Sequence, residues 1–162
     1  LGPALIALGA KVTIASSAGN RTVELEKFFL SPSDAAGREI DLKPNEIVTE
    51  VVVPAAAGAR NATYELRQKE ALDWPLATAS VALKMKGSTV ASARVVLGHV
   101  APTPWNSAEA AQALAGKAIN ESTAKAAADA ALAKATPFAG NRYKVQLAKV
   151  AVKRALLAAA KA

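Results

Sequence analysis

Residues 67–83 read RQKEALDWPLATASVAL, and within this stretch a tryptophan stands between an aspartate and a proline, directly before a strand-like alternation. The chain has only two tryptophans, so one of them on a proline-backed turn needs a reason. Two interpretations are open. Trp74 either caps an apolar core, or it presents a flat aromatic face to a flat ligand, with the carboxylate of Asp73 beside it.

Other residues that could do chemistry are scarce. The absence of cysteine excludes disulfides, thiolate metal sites, iron–sulfur ligation by this segment and a cysteine nucleophile. The one histidine, His99, lies in a strand pattern and is predicted to be structural, because a metal site or a catalytic triad needs further partners. Strand alternation and loop solvation explain the acidic pairs Glu24/Glu26 and Glu39/Asp41. Neither GxxxxGK nor GxGxxG occurs. The chain therefore points to a cofactor-binding, electron-relaying or purely binding role.

The composition of the chain indicates its kind of core and limits the classes of partner that it can bind. The 162 residues are 52% hydrophobic but only 4% aromatic, which predicts a core of Val, Leu, Ile and Ala. The net charge of +7 is spread along the chain, and we interpret the recurring cations of the last segment as a solvated helix face. These cations are Lys144, Lys149, Lys153, Arg154 and Lys161. Nucleic-acid binding is disfavoured because no recognition motif is present. Neither a membrane span nor a signal peptide is predicted.

The elements that must position Trp74 begin with strands. The end of a helix is predicted over residues 3–8, before Gly9. A strand over 11–16 is predicted to pair with a strand over 22–25 in a hairpin. A strong strand is predicted over 46–53 (EIVTEVVV), ended by Pro54. A short strand is predicted over 63–67. Alternation over 77–86 and 90–100, with Gly87-Ser88 between, predicts an antiparallel hairpin with one buried face.

Three helices are predicted to follow. Ser107 is the expected N-cap of a helix over 108–115. An alanine-rich helix is predicted over 121–135 and ends at Thr136-Pro137. Asn141 is the expected N-cap of a third helix over 142–160. Strands first and helices after predict an α+β fold with an antiparallel sheet packed on three helices. The opening LGPALIALGA has no Met and is already apolar, so we expect residues before Leu1.

An ordered set of motifs carries a family resemblance that covers essentially the whole chain. The motifs are DLKPNEIVTEVVVP (41–54), Tyr64 followed by DWPL (73–76), VVLGHVAPTPW (95–105) and NRYKVQLAKVAVKRAL (141–156). In this order and spacing they resemble the FAD-binding subunit of the xanthine dehydrogenase / carbon monoxide dehydrogenase family of molybdenum hydroxylases. The resemblance implies three parts. Residues 1–54 would end an α/β FAD-binding subdomain, 55–61 would be a linker, and 62–162 would form the C-terminal domain.

The resemblance also implies site residues. The loop over 66–76 would approach the flavin ring, with Trp74 in place of the family's ring-facing aromatic and Asp73 helping to set the flavin potential. Many relatives carry a lysine soon after the aromatic at Tyr64, and the nearest cations here are Arg67 and Lys69. The backbone of Val48 would touch the flavin. The family's Gly-rich pyrophosphate loops are not found in this sequence.

The function implied by the resemblance is electron transfer. Electrons would pass from a molybdenum cofactor in a large subunit, through 2Fe-2S clusters in a small subunit, to FAD here and then to NAD or oxygen. No residue of this chain would be catalytic alone. The alternative is a non-catalytic assembly module of the same complex. Relatives are mostly cytoplasmic and some are periplasmic, so a cytoplasmic location is expected, with a periplasmic one as the alternative.

Overall fold

A computed structural model describes residues 1–31, 37–55, 58–69 and 73–162. The strands in these ranges are β1 (Lys11–Ser16), β2 (Gly19–Glu24), β3 (Ile47–Val52), β4 (Ala59–Leu66), β5 (Ala77–Lys86), β6 (Thr89–Gly98) and β7 (Trp105–Asn106). The α-helices are α1 (Gly2–Ala7), α2 (Leu25–Phe28), α3 (Ala108–Leu114), α4 (Glu121–Ala131) and α5 (Tyr143–Ala159). The predicted α+β class is confirmed, because both sheets are antiparallel and helices cover them.

The strands form two sheets. The first has the order β2-β1-β3, so the strongly hydrophobic strand β3 is an edge. The second has the order β4-β5-β6-β7 and contains the predicted hairpin as its two ten-residue strands, β5 and β6. Period-two alternation explains their pairing, because it buries Ala79, Val81 and Leu83 on one face.

The helices α3 and α5 cover that face, and α4 packs against these two helices rather than on the strands. Their buried residues form one core with the sheet, including Leu114, Val152 and Leu156. Ser107 caps α3 as expected, since its Oγ accepts a hydrogen bond from Ala110 N at 3.2 Å. Small alanines dominate the contact and let the helices approach the sheet closely.

The boundaries of the last two helices differ from the prediction. Helix α4 ends at Ala131 rather than near 135. Asn141 does not cap α5. It ends a short 3-10 turn over Ala139–Asn141, and α5 begins at Tyr143 without a side-chain cap. The sequence pattern could not distinguish a capping Asn from one in a preceding turn, because both positions favour short polar residues.

The first segment packs on the opposite face of the four-stranded sheet. Ile6, Val12 and Phe28 share a second core with Val96 of β6. Arg94 Nη1 donates to the carbonyl of Ile6 at 3.0 Å, which anchors α1 on this face. The sheet therefore carries hydrophobic packing on both sides, and the prediction of a hairpin with one buried face was wrong, because α1 covers the second face.

The cations of α5 are not a purely solvated face. Lys149 Nζ lies 2.8 Å from an oxygen of Asp129, and Lys153 Nζ lies 2.9 Å from Glu121. Both acids belong to α4. These cations therefore join α5 to its neighbour, and the prediction of a simply solvated face was wrong for them.

The domain division remains a prediction, with one structural detail bearing on it. Strand β4 begins at Ala59, so residues 59–61 of the predicted linker belong to a strand. Residues 56 and 57 lie outside the described part. Within that part, no helix is long and apolar enough to cross a membrane. No group of three potential metal ligands is found there either.

Candidate functional site

The residues predicted to face a ligand lie mainly on the connection between β4 and β5. Its two ends meet, because Leu76 N donates to Leu66 O at 2.7 Å as the strands diverge. Residues 67–69 and 73–76 of this loop are described, and 70–72 lie outside the described residues. Antiparallel pairing thus places Arg67, Lys69 and Trp74 at one end of the four-stranded sheet.

Trp74 is the most unusual residue of the loop. Its side chain is 83% exposed although it carries the largest apolar surface of any residue type. It does not fill the core, which disfavours the interpretation of Trp74 as a structural plug. A large exposed indole held beside a proline is available to cover a planar apolar ring.

Asp73 helps to hold the loop. Its Oδ2 accepts a hydrogen bond from the backbone N of Lys69 at 3.2 Å, which links the two described parts of the loop. The carboxylate next to Trp74 therefore has a positioning contact. It still places a negative charge beside the exposed indole.

The cations of the loop differ in their surroundings. Arg67 forms a salt bridge with Glu65, the last but one residue of β4. An anionic ligand must therefore compete with Glu65 for the Arg67 guanidinium. The backbone of Lys69 is held by Asp73, and its ammonium group forms no ion pair among the described residues. Lys69 is thus the better placed of the two for a phosphate or carboxylate.

Val48 and the Trp74 loop do not share a strand or a sheet. It lies on β3 in the other sheet and pairs with Ile14 of β1 next to a register shift. Its side chain is 37% exposed, and Ile47 beside it is 66% exposed. An edge strand with exposed apolar side chains is typical of a surface that binds another element or a ligand.

Sequence reasoning missed a feature at the same end of the four-stranded sheet. The prediction that His99 lies in a strand was wrong, because β6 ends at Gly98 and His99 has a φ of 63°, a left-handed backbone rare for a non-glycine residue. Its Nδ1 lies 3.0 Å from Thr78 Oγ1, and its carbonyl accepts from Lys144 Nζ at 2.5 Å. Partial burial lowers the pKa of His99 below its ordinary value, which favours the neutral imidazole. The only sequence signal was its place directly after a strand-ending glycine.

The described residues fit part of a flavin nucleotide. The exposed indole of Trp74 suits the planar ring, and Lys69 suits an anionic group. A pyrophosphate is usually held by a glycine-rich turn, whereas the nine glycines here are scattered singly along the chain. The fit therefore concerns the ring and its edge, and these residues do not supply a pyrophosphate cradle.

Comparisons with known proteins bear on this arrangement. Residues 62–159 match the family described as CO dehydrogenase flavoprotein C-terminal domain. Residues 1–56 match the family described as FAD binding domain in molybdopterin dehydrogenase. The first match spans more than half of the chain.

Individual relatives agree with the family matches. The carbon monoxide dehydrogenase medium chain of Hydrogenophaga pseudoflava is 36% identical over 97% of this chain and 55% of its own length. The glyceraldehyde dehydrogenase medium chain of Sulfolobus acidocaldarius is 27% identical over 93% of this chain and 53% of its own length. The chain thus spans about half the length of these relatives.

Solved structures give the same picture. Carbon monoxide dehydrogenase from Hydrogenophaga pseudoflava lacking the Mo-pyranopterin moiety aligns with a TM-score of 0.85 at 37% identity, over 98% of this chain and 55% of that one. Quinoline 2-oxidoreductase from Pseudomonas putida 86 aligns with a TM-score of 0.82 at 30% identity, over 99% and 55%.

Proposed function

The chain belongs to the family of the CO dehydrogenase flavoprotein C-terminal domain, and from this premise we propose that it is part of the FAD-carrying electron-transfer subunit of a molybdenum hydroxylase. The hydroxylase would be of the xanthine, aldehyde or CO dehydrogenase type. The observation that carries the proposal is the 83% exposed indole of Trp74, held by its loop at the end of the sheet. Such a surface calls for a planar partner.

The residues of the loop have distinct roles in this proposal. Trp74 covers the flavin ring and excludes water from one side of it. Asp73 fixes the loop through the backbone of Lys69 and sets a negative charge near the ring. Lys69, and Arg67 in competition with Glu65, would face anionic groups of the cofactor. Val48 would contact the flavin through its backbone on the exposed strand β3.

The cofactor defines the chemistry of the subunit. The chemistry that bound FAD would supply is electron transfer between the 2Fe-2S clusters of a small subunit and an acceptor such as NAD or oxygen. A large subunit would hold the molybdenum cofactor and bind the substrate. The residues of this chain would position and shield the ring. We propose a cytoplasmic location, with a periplasmic one as the alternative.

The first test compares two exposed tryptophans in the full-length protein that contains this chain. Trp74→Ala should weaken FAD affinity by about two- to tenfold, because an aromatic contact contributes about 0.5–1.5 kcal/mol beyond area burial. Trp105→Ala is the matched control, since Trp105 is 48% exposed on β7, at the opposite edge of the four-stranded sheet from β4. The measurement is flavin titration followed by fluorescence. Equal affinities for the two variants would remove Trp74 from the flavin site.

A second test addresses the charge of Asp73. Asp73→Asn keeps an acceptor for the Lys69 backbone but removes the negative charge. The midpoint potential of the bound flavin should become more positive, because reduction adds negative charge that Asp73 disfavours. Asp129→Asn, on α4, controls for a general change of surface charge. An unchanged potential for Asp73→Asn would assign Asp73 to loop positioning alone.

The alternative function is a non-catalytic assembly module. The observation that favours it is the scattering of the glycines, which leaves these residues without a pyrophosphate cradle. A purified wild-type complex with iron and partner subunits but without a flavin absorption band would support the module. A stoichiometric flavin band would overturn it.

A further inference from the structure

A second exposed feature is a cleft on the helical side of the four-stranded sheet. The connection between β6 and β7 forms one wall, and the connection between α4 and α5 forms the other. We call this the aromatic cleft and define it by Leu97, Trp105, Leu132, Phe138, Asn141 and Lys144. Its volume is about 270 Å³, enough for one large side chain and its backbone.

Aromatic side chains are concentrated at this cleft. The chain has two Trp, two Tyr and three Phe. Of these few, Phe138 is 82% exposed and Trp105 is 48% exposed, and both line the cleft. Tyr143, 54% exposed, begins α5 two residues after the lining residue Asn141. Exposed aromatics gathered around an apolar depression are the side chains that dominate binding in protein–protein interfaces.

The cleft also contains a polar group without a partner. Asn141 Oδ1 is buried and accepts no hydrogen bond from the described residues. A buried acceptor of this kind is normally satisfied, because leaving it unpaired costs free energy. Asn141 Oδ1 therefore marks a point where the described residues leave the packing beside the cleft incomplete.

The charged residues that line the cleft itself have one sign. Two lining residues, Lys134 and Lys144, are cationic, and none is acidic. Lys134 is paired with Glu109 at 2.7 Å, and Lys144 donates to the carbonyl of His99. Helix α5 starts here with no acidic residue in its first turn and no side-chain cap. A helix start favours a nearby negative charge, and the start of α5 at this cleft has no anion of its own to provide one.

We propose that the aromatic cleft is the docking site for an acidic segment of a partner subunit. The segment inserts an apolar side chain beside Trp105 and Phe138. A carboxylate of the segment faces Lys144 and the start of α5. The inference rests on the proposed function, because it assumes a multi-subunit assembly, and it adds the surface at which that assembly is held.

The test measures association in the full-length complex. Phe138→Ala should weaken binding of the partner subunits by about tenfold, the effect of truncating an aromatic anchor, without loss of folding, because Phe138 is exposed and its removal leaves no cavity. Trp105→Ala should act in the same direction. Lys144→Glu should weaken association, whereas Lys161→Glu, a matched charge reversal on an exposed residue beyond α5, should not. Association is followed by analytical ultracentrifugation, and flavin content is measured on the same samples.

The outcomes separate this inference from the proposed function. Folded Phe138→Ala and Trp105→Ala variants that assemble like the wild type would overturn the docking site, whatever their flavin content. A wild-type protein that carries flavin as a lone polypeptide would also overturn it. If the wild type contains no flavin and the Phe138→Ala substitution prevents assembly, the docking site is supported and the flavin role is rejected. Saturable binding of benzoate at the cleft, with assembly unchanged, would assign the cleft to a small acid instead.

Discussion

The guanidinium of Arg154 on α5 lies over the ring of Tyr64 on β4, 5.1 Å from its centroid, and donates a hydrogen bond to the Tyr64 hydroxyl. This pair ties the last helix to the edge strand that leads into the Trp74 loop. Arg154→Ala should lower the free energy of unfolding by about 0.5–1 kcal/mol, the usual contribution of an exposed cation–π contact. Urea unfolding measures it, with Lys161→Ala as the control. Equal stabilities of the two variants would contradict the contact.

Gly98 ends β6 against α1. A Cβ built at this glycine would lie 2.8 Å from Pro3 Cγ, closer than side-chain atoms pack. Gly98→Ala should therefore destabilise the fold by about 1–3 kcal/mol, because the first segment must shift away from the sheet. Gly140→Ala is the matched control, since its Cβ would meet nothing within 4 Å. Thermal unfolding of both variants tests the packing of α1, and a Gly98→Ala variant as stable as Gly140→Ala would refute it.

Ser107 caps α3 from a fully buried position. Ser107→Ala leaves the Ala110 N–H without its acceptor and should cost about 0.5–2 kcal/mol. Ser92→Ala, at an exposed position of β6, is expected to change stability little. Chemical denaturation compares the two. A loss of similar size in both variants would argue against the cap as the cause.

The ion pairs of Asp129 predict that the stability of the fold falls at acidic pH. Two hydrogen bonds lower the pKa of Asp129 from 3.8 to about 2, the one from Lys125 contributing most and the one from Lys149 next. A carboxylate with a depressed folded-state pKa stabilises the fold above its unfolded value, near 4, and this stabilisation is lost as the pH falls toward 2. Asp129→Asn should therefore lower the melting temperature at pH 7, and its difference from wild type should shrink between pH 4 and 2.

The control for the acid prediction is Glu50→Gln, which removes an exposed carboxylate from β3. Its melting temperature should differ from wild type by a smaller amount at pH 7. A constant difference between Asp129→Asn and wild type across pH 2–7 would show that the ion pairs with Lys125 and Lys149 do not contribute.

Much of this protein was determined by local sequence pattern. Period-two alternation predicted β1, β5 and β6, and Ser107 predicted the start of α3, because strand faces and helix caps depend on neighbours within a few residues. The motifs from 41 to 156 also indicated the family through their residue types and order alone.

The tertiary structure decided what depends on contacts between distant segments. It exposed Trp74, joined Arg154 to Tyr64, and placed Val48 on a different sheet from the loop. It also gathered Trp105, Phe138 and Asn141 around one cleft, although helices α3 and α4 separate the first from the other two along the chain. No local pattern encodes such a meeting, because it arises only when helices close over a sheet and leave one seam incompletely filled.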